Sequence, residues 1–392
     1  MHLAPTEDQL RLRAELREYF HDLLPDGLPE DPAAQRALLR RIGADGLLGL
    51  GWPVEYGGQG RGADEQFVFF DEAYRAGAPV SMVTLNTVGP TLMKYGTQQQ
   101  KDYFLPRILS GEIVFAIGYS EPEAGTDLAS LRTRAVRDGG PDGDWVVDGQ
   151  KIFTSNAQNA DWIWLACRTD PNAPKHKGIS IILVPTDVPG FTWTPIETVG
   201  GLTTTATYYD SVRVPAGHLV GPEHSGWGLI TNQLNHERVA LAAIGMQAED
   251  FYAAALARAR TPDPATGERP ADRPWVQSRL AEAHARLAAV RLLNWRLVQD
   301  VGNGTLAPGD ASGVKFLGTE SAVEVYRMCQ EVVGEEALIR GPGPEQGPAV
   351  FAGGELERMN RAAQINTFGG GVSEVQREIV AMMRLGMKGR KR

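Results

Sequence analysis

Between residues 113 and 214 the chain stops reading as helix and reads as short strands, and this switch limits the fold more than any other feature. The runs are 113–119, 131–136, 145–147, 162–168, 179–184, 191–195 and 206–214. Each is rich in β-branched and aromatic residues and is bounded by Gly, Pro, Asp or Asn, the pattern of strands separated by turns. About 110 residues of this texture make an all-β domain, a sandwich or a barrel.

On either side the period is helical. Thr6 and Gln9 have the spacing of a capping box, followed by Leu10, Leu12, Leu16 and Phe20. Residues 38–48 and 66–74 are further helices, separated by a Gly- and Pro-rich loop that runs from Trp52 to Gly58. Helix returns at Gly226 and continues to the end, with breaks at 261–274 and 339–354; the second carries Gly-Pro-Gly-Pro and reads as a surface loop or lid. The expected fold class is α+β: an N-terminal helical domain (1–115), a middle β-sandwich or barrel domain (116–222) and a C-terminal helical bundle (223–392).

One position in the last domain breaks its own pattern. Residues 227–260 read as one long amphipathic helix, with Ile230, Leu234, Leu241, Ile244, Ala248 and Phe251 on the apolar stripe. The slot between Leu234 and Leu241 is Glu237. A carboxylate on a buried face is costly unless it is paired or has a task. Two readings follow. Glu237 is a structural ion pair with Arg238 or a neighbouring helix, or it is a general base whose pKa burial raises.

Composition narrows the classes. With 42% hydrophobic and 22% charged residues over 392 positions, the chain is an ordinary globular protein with room for two or three domains. A net charge of −9 and the lack of a basic stripe exclude general nucleic-acid binding. Cys167 and Cys329, both in apolar segments, are expected to be buried free thiols in a reducing compartment. There is no signal-peptide pattern and no apolar run long enough to span a bilayer, so a cytoplasmic location is expected. The histidines lack paired metal-ligand spacing, so no metal is expected. The terminal Gly-Arg-Lys-Arg reads as a solvated tail.

Two motifs carry chemistry. Ser120-Glu121-Pro122-Glu123-Ala124-Gly125-Thr126-Asp127 opens the β domain, and Gly149-Gln150-Lys151-Ile152-Phe153-Thr154-Ser155-Asn156 follows two dozen residues later. Alone, the first is a turn in which Gly125 permits a left-handed backbone, with N–H groups available to an anion or a polar ring. Together with the helix–β–helix order and the loop Thr367-Phe368-Gly369-Gly370-Gly371, the chain closely resembles the acyl-CoA dehydrogenase family of flavoproteins. Within it the chain is most similar to actinobacterial dehydrogenases of steroid side-chain CoA esters. The segments 166–180 and 231–238 carry that finer likeness.

The resemblance implies FAD, α,β-dehydrogenation of an acyl-CoA thioester, and an electron-transfer flavoprotein as acceptor. It implies that Ile117 to Thr126, including Tyr119 and Gly125, line the flavin. Ser120 would meet the pyrimidine end, and Thr126 would lie near the pyrophosphate and the substrate. Phe153 would pack on the flavin edge beside Thr154, with Ser155 near O4 and N5. Gly371 and Ser373 would complete the cofactor contacts. Many members carry a catalytic glutamate in the C-terminal loop, and that position here is Gly370. A smaller group carries it on the long helix, where the aligned residue is Glu237. The stripe and the alignment therefore meet on Glu237 as the α-proton base, with the hydride passing to flavin N5. Arg238 matches an arginine beside the acyl-CoA site, or compensates the Glu237 charge. Gly370 leaves room for a bulky or α-branched acyl group, and its N–H can serve the thioester oxygen.

In homo-oligomeric members a neighbouring subunit grips the ADP arm of FAD through an arginine and a Gln-Gly-Gly element. Here Asp272 stands at the first, and Glu331 and Glu335 stand in the second. Carboxylates repel a pyrophosphate. The implied solution is a related partner chain in a heterotetramer, unless Arg273 slips by one position and preserves a homo-oligomer. A flavin oxidase or monooxygenase, a non-catalytic partner subunit, and a carrier-protein thioester remain open as alternatives.

Overall fold

The computed structural model describes residues 4–233, 245–264, 266–341 and 351–387. They divide into two compact units. One comprises 13–198 and 203–240, the other 1–12, 199–202 and 241–392, each as far as described.

Helix α1 (Glu7–Leu23) starts on the expected capping box. The Thr6 N–H donates to Gln9 Oε1 (2.8 Å) and the Gln9 N–H to Thr6 Oγ1 (3.2 Å). Leu12, Leu16 and Phe20, four residues apart, are buried, whereas Leu10 is 51% exposed. Two residues from Leu12 is about half a turn, so Leu10 falls on the outer face and leaves the expected stripe. Helix α2 (Pro32–Ala44) begins six residues before the hydrophobic run suggested, because Asp31 caps the N–H groups of Ala33 and Ala34 and Pro32 suits the first turn. Helices α3 (Ala63–Arg75), α4 (Gly89–Tyr95) and α5 (Gln98–Leu109) follow, the last on a second capping box formed by Thr97 and Gln100. In the loop between α2 and α3, Trp52 is buried and its indole N–H donates to the Leu85 carbonyl at 3.0 Å. A Cβ on Gly89 would stand 2.1 Å from that indole ring, so only glycine lets the helix approach so closely.

The β strands are β1 (Phe115–Gly118), β2 (Arg134–Asp138), β3 (Asp144–Lys151), β4 (Trp162–Arg168), β5 (Ile179–Pro185), β6 (Phe191–Glu197), β7 (Thr203–Val214) and β8 (Leu219–Val220). They run in the order β6-β7-β3-β2-β4-β5-β8, with β1 parallel to β4. The β2–β4 join is a single pairing, Arg134 with Arg168. Trp145, Val147, Val212 and Val214 from one side of that join share a core with Ile163, Leu165, Cys167, Ile182 and Val184 from the other. Two sheet halves packed on a common apolar interior give a sandwich, one of the two forms, sandwich or barrel, that the strand pattern implied.

A helical run at 226–233, α6, extends to the limit of the described residues. Helices α7 (Ala248–Arg260), α8 (Pro274–Gly302), α9 (Pro308–Val333), α10 (Glu355–Ala362) and α11 (Ser373–Met383) follow. Ala248, Ala255, Leu287, Val325, Tyr326, Cys329 and Leu356 share one core. The single helix expected over 227–260 is interrupted by a turn at Gln247, whose carbonyl takes the Asp250 N–H (3.1 Å) in a tighter, three-residue step. Among the described residues no helix is long and apolar enough to cross a membrane.

Candidate functional site

β1 delivers Tyr119 and Ser120 to a tight turn in which Glu121 and Ala124 exchange both backbone hydrogen bonds at 3.1 Å. The Glu121 carboxylate turns inward. It accepts the N–H groups of Arg132 (2.7 Å) and Thr133 (2.8 Å) and the ammonium of Lys151 (2.8 Å). Lys151 ends β3, is fully buried, and also donates to the Tyr119 carbonyl at 3.0 Å. The next N–H, of Ile152, donates to the Ser120 carbonyl at 2.9 Å. The two sequence motifs are therefore stapled together on both sides of Ser120. Burial pushes the Glu121 carboxyl up, but Lys151 and Thr133 outweigh it and hold the group below the usual carboxylate range. Burial pulls Lys151 below an ordinary lysine, and Glu121 opposes that pull. Extra hydrogen bonds of this kind are what a buried ion pair needs to offset desolvation.

Around this staple Ile117, Tyr119 and Ser120 are half-buried, and Gly125 and Thr126 are exposed. A Cβ on Gly125 would meet nothing within 4 Å, so a ligand can come close to that turn. Phe153 is 61% exposed and sits at φ +59°, a left-handed conformation that a bulky residue rarely adopts. Such strain, about 1–3 kcal/mol, persists where the flanks are fixed. Here the following Thr154 N–H donates to the Thr205 carbonyl (3.0 Å), and Thr205 Oγ1 donates to the Thr154 carbonyl (2.6 Å). Thr154 itself points into the core, 3.4 Å from Thr207 Oγ1. Ser155 is exposed, with its hydroxyl 3.2 Å from Thr204 Oγ1. A displayed aromatic ring, adjacent hydroxyls and an open glycine turn suit a flat polar ring with an anionic tail, so these residues fit a flavin dinucleotide.

Behind this surface the Tyr119 hydroxyl donates to Gln233 Oε1 and accepts from the Trp164 indole N–H at 3.1 Å. Gln233 is buried, and its Nε2 has no acceptor among the described residues. Glu237 and Arg238 lie outside the described residues, as do Leu234, Leu241, Ile244 and the terminal Gly-Arg-Lys-Arg.

In the helical unit, Gly370 and Gly371 have φ of +67° and +104°. A glutamate at position 370 would be strained there. Ser373 is buried and donates to the Thr367 carbonyl at 3.2 Å. Lys315, on α9, is buried under the same loop. Asp272 pairs with Arg269 (2.8 Å) and Glu331 with Arg279 (2.7 Å), while Glu335 opens the one-turn helix Glu335–Ala337. The first two carboxylates are thus held by arginines of this chain. Both thiols are free and buried, and burial pushes each up to about 12.

The roles of Glu121, Lys151, Gln233 and Lys315 were not read from the sequence. A lysine in an apolar strand or helix stripe is the same signal that singled out Glu237, and it was available at Lys151 and Lys315.

Helices, a β-sandwich carrying two stapled loops, and helices carrying a glycine hairpin define a flavoprotein dehydrogenase. The chain belongs to the acyl-CoA dehydrogenase family: the models of its N-terminal, middle and C-terminal domains match residues 6–112, 116–212 and 224–385. The family is FAD-dependent and acts on the CH–CH bond of acyl-CoA thioesters. The chain is 48% identical to the acyl-CoA dehydrogenase FadE26 of Mycobacterium tuberculosis, over 99% of both chains. It is 52% identical to the solved Tcur3481-Tcur3483 steroid ACAD, with a TM-score of 0.91 over 99% of this chain and 100% of that one. It is 48% identical to a chain of the ChsE4-ChsE5 complex from Mycobacterium tuberculosis, with a TM-score of 0.90 over 99% and 100%.

Proposed function

We propose that the chain is the catalytic subunit of a heteromeric dehydrogenase for bulky or α-branched acyl-CoA thioesters of the steroid side-chain type. The observation that carries this reading is Gly370: the hairpin offers no carboxylate, and its left-handed backbone disfavours one. The base then comes from elsewhere, and Glu237 has both the apolar stripe of the sequence and the alignment in its favour. Glu237 removes the α-proton, and the Gly370 N–H steadies the charge that develops on the thioester oxygen. Ser120, Thr126, Phe153 and Ser155 bind and orient the isoalloxazine and pyrophosphate. The resemblance assigns Ile117, Tyr119, Gly125, Thr154, Gly371 and Ser373 to the cofactor and Arg238 to the acyl-CoA. Bound FAD supplies a hydride acceptor at N5.

A related partner chain completes the ADP grip in a heterotetramer, because Asp272, Glu331 and Glu335 stand where that grip is made in homo-oligomers. The pairing of chains in the ChsE4-ChsE5 complex supports this. An electron-transfer flavoprotein takes the electrons, in the cytoplasm. The boundaries 1–115, 116–222 and 223–392 are proposed for the three domains.

The test is expression with and without the product of an adjacent related gene, followed by anaerobic bleaching of the yellow colour with straight, α-methyl and steroid side-chain acyl-CoAs. The expected result is full flavin only in the complex, with the branched or bulky esters bleaching fastest. A homotetramer of this chain with full FAD would overturn the heteromer. Bleaching by short straight chains alone would overturn the substrate class.

A further inference from the structure

Lys315 occupies the buried stripe of α9, one turn after Ala311 and one turn before Thr319. Its ammonium donates to the Gly371 carbonyl at 2.7 Å and to the Thr367 carbonyl at 3.3 Å. One cation therefore clamps both ends of the short segment Phe368-Gly369-Gly370. Ser373 adds a second bond to the Thr367 carbonyl, and the Gln376 amide approaches the Gly370 and Gly371 carbonyls at 3.4 and 3.5 Å. Inside the clamped segment the N–H groups of Phe368 (3.2 Å) and Gly369 (2.8 Å) are both spent on the Ile365 carbonyl. The next N–H, of Gly370, has no acceptor among the described residues. A glycine backbone at φ +67° is soft and would wander unless held.

We propose that Lys315 is a positioning residue: it holds the hairpin by two carbonyls so that the Gly370 N–H is pre-set to receive the oxygen of an acyl thioester. The inference rests on the proposed role of Gly370. A donor that is already in place as charge develops is worth far more than one that must be ordered first. The ammonium suits the task better than a neutral donor, because charge-assisted hydrogen bonds are shorter and stronger.

The test uses the FAD-loaded enzyme with its partner, if one is needed, and the variants K315M, K315Q and K315R. Two readouts separate positioning from mere stability. One is the split of kcat from KM with the acyl-CoA that bleaches the wild type fastest. The other is the pH at which added acetoacetyl-CoA enolises in the site, seen as a long-wavelength band. For K315M the expected result is kcat lower by about 10- to 100-fold with KM little changed. The enolisation pH should rise by about one unit or more, and K315R should recover part of both effects. If K315M does not fold, K315Q carries the same expectations at smaller size. Lower thermal stability with kcat and the enolisation pH unchanged would overturn the proposal, and so would a change confined to KM. A wild type that no acyl-CoA bleaches and that does not enolise acetoacetyl-CoA would instead remove the functional reading itself.

Discussion

Among the described residues the β unit and the helical unit each bury one lysine beneath a loop of functional interest, and the contacts shown for the two differ. Lys151 meets a carboxylate: Glu121 accepts its ammonium and two backbone N–H groups, so opposite charges close on each other and join two chain segments. Lys315 donates to two carbonyls and clamps one segment at both ends. The first is an architectural lock with a high penalty for opening. The second sets the aim of a few backbone atoms. The same signal in the sequence, a charge on an apolar stripe, therefore marks two different sets of contacts.

The comparison breaks if the two lysines respond alike. K151M leaves the buried Glu121 carboxylate without its cation, and loss of about 3–5 kcal/mol is expected, together with loss of flavin retention. Denaturant unfolding and FAD content measure this. Replacing both partners with apolar residues should recover only part of the stability, because the Arg132 and Thr133 N–H groups and the Tyr119 carbonyl lose these partners. K315M should cost about 1.5–3 kcal/mol, the range for hydrogen bonds from a charged donor, and should keep its flavin.

Acid sharpens the contrast. The folded pKa of Glu121 lies below the ordinary glutamate value, so its contribution is present above that value and is lost as the pH falls through the folded pKa. In K151M the opposing charge is gone and only the hydrogen bonds from Thr133 still work against burial, so the loss should begin at higher pH. His218 is pushed down by burial against the pull of the Leu183 carbonyl. It adds a loss below its ordinary value of 6.5 to every variant, so melting curves must be compared between variants.

Smaller effects follow. F153G relieves left-handed strain, and a gain of about 1–2 kcal/mol in the ligand-free protein is expected, with weaker FAD binding. Calorimetry and a flavin titration test both halves. Cys167 and Cys329, with thiols pushed up to about 12, should not react with a thiol reagent in the native protein at pH 8.

Much of the fold was legible because its signals are local. The run 162–168 matches β4, since β-branched and aromatic residues fill it and polar residues bound it. The capping box at Thr6 is equally local. What escaped depends on geometry or distance. β8 has only two residues and exists through its pairing with Ile181 and Ile182. Leu10 belongs to α1 but not to its buried face. At the candidate site Phe153 and Ser155 are exposed and Ser120 is half-buried, whereas the inward turn of Thr154 needed the strand register of β7 to become visible. Glu121 and Lys151 are thirty residues apart, and no local pattern pairs them.

The central claim is that the α-proton leaves on Glu237. The direct measurement is the anaerobic bleaching rate of the E237Q holoenzyme, loaded with FAD and mixed with the acyl-CoA that bleaches the wild type fastest. Bleaching slower by about 100- to 10,000-fold, with FAD and acyl-CoA still bound, is the expected result. A rate within a few-fold of the wild type would contradict the account and send the search for the base to another side chain.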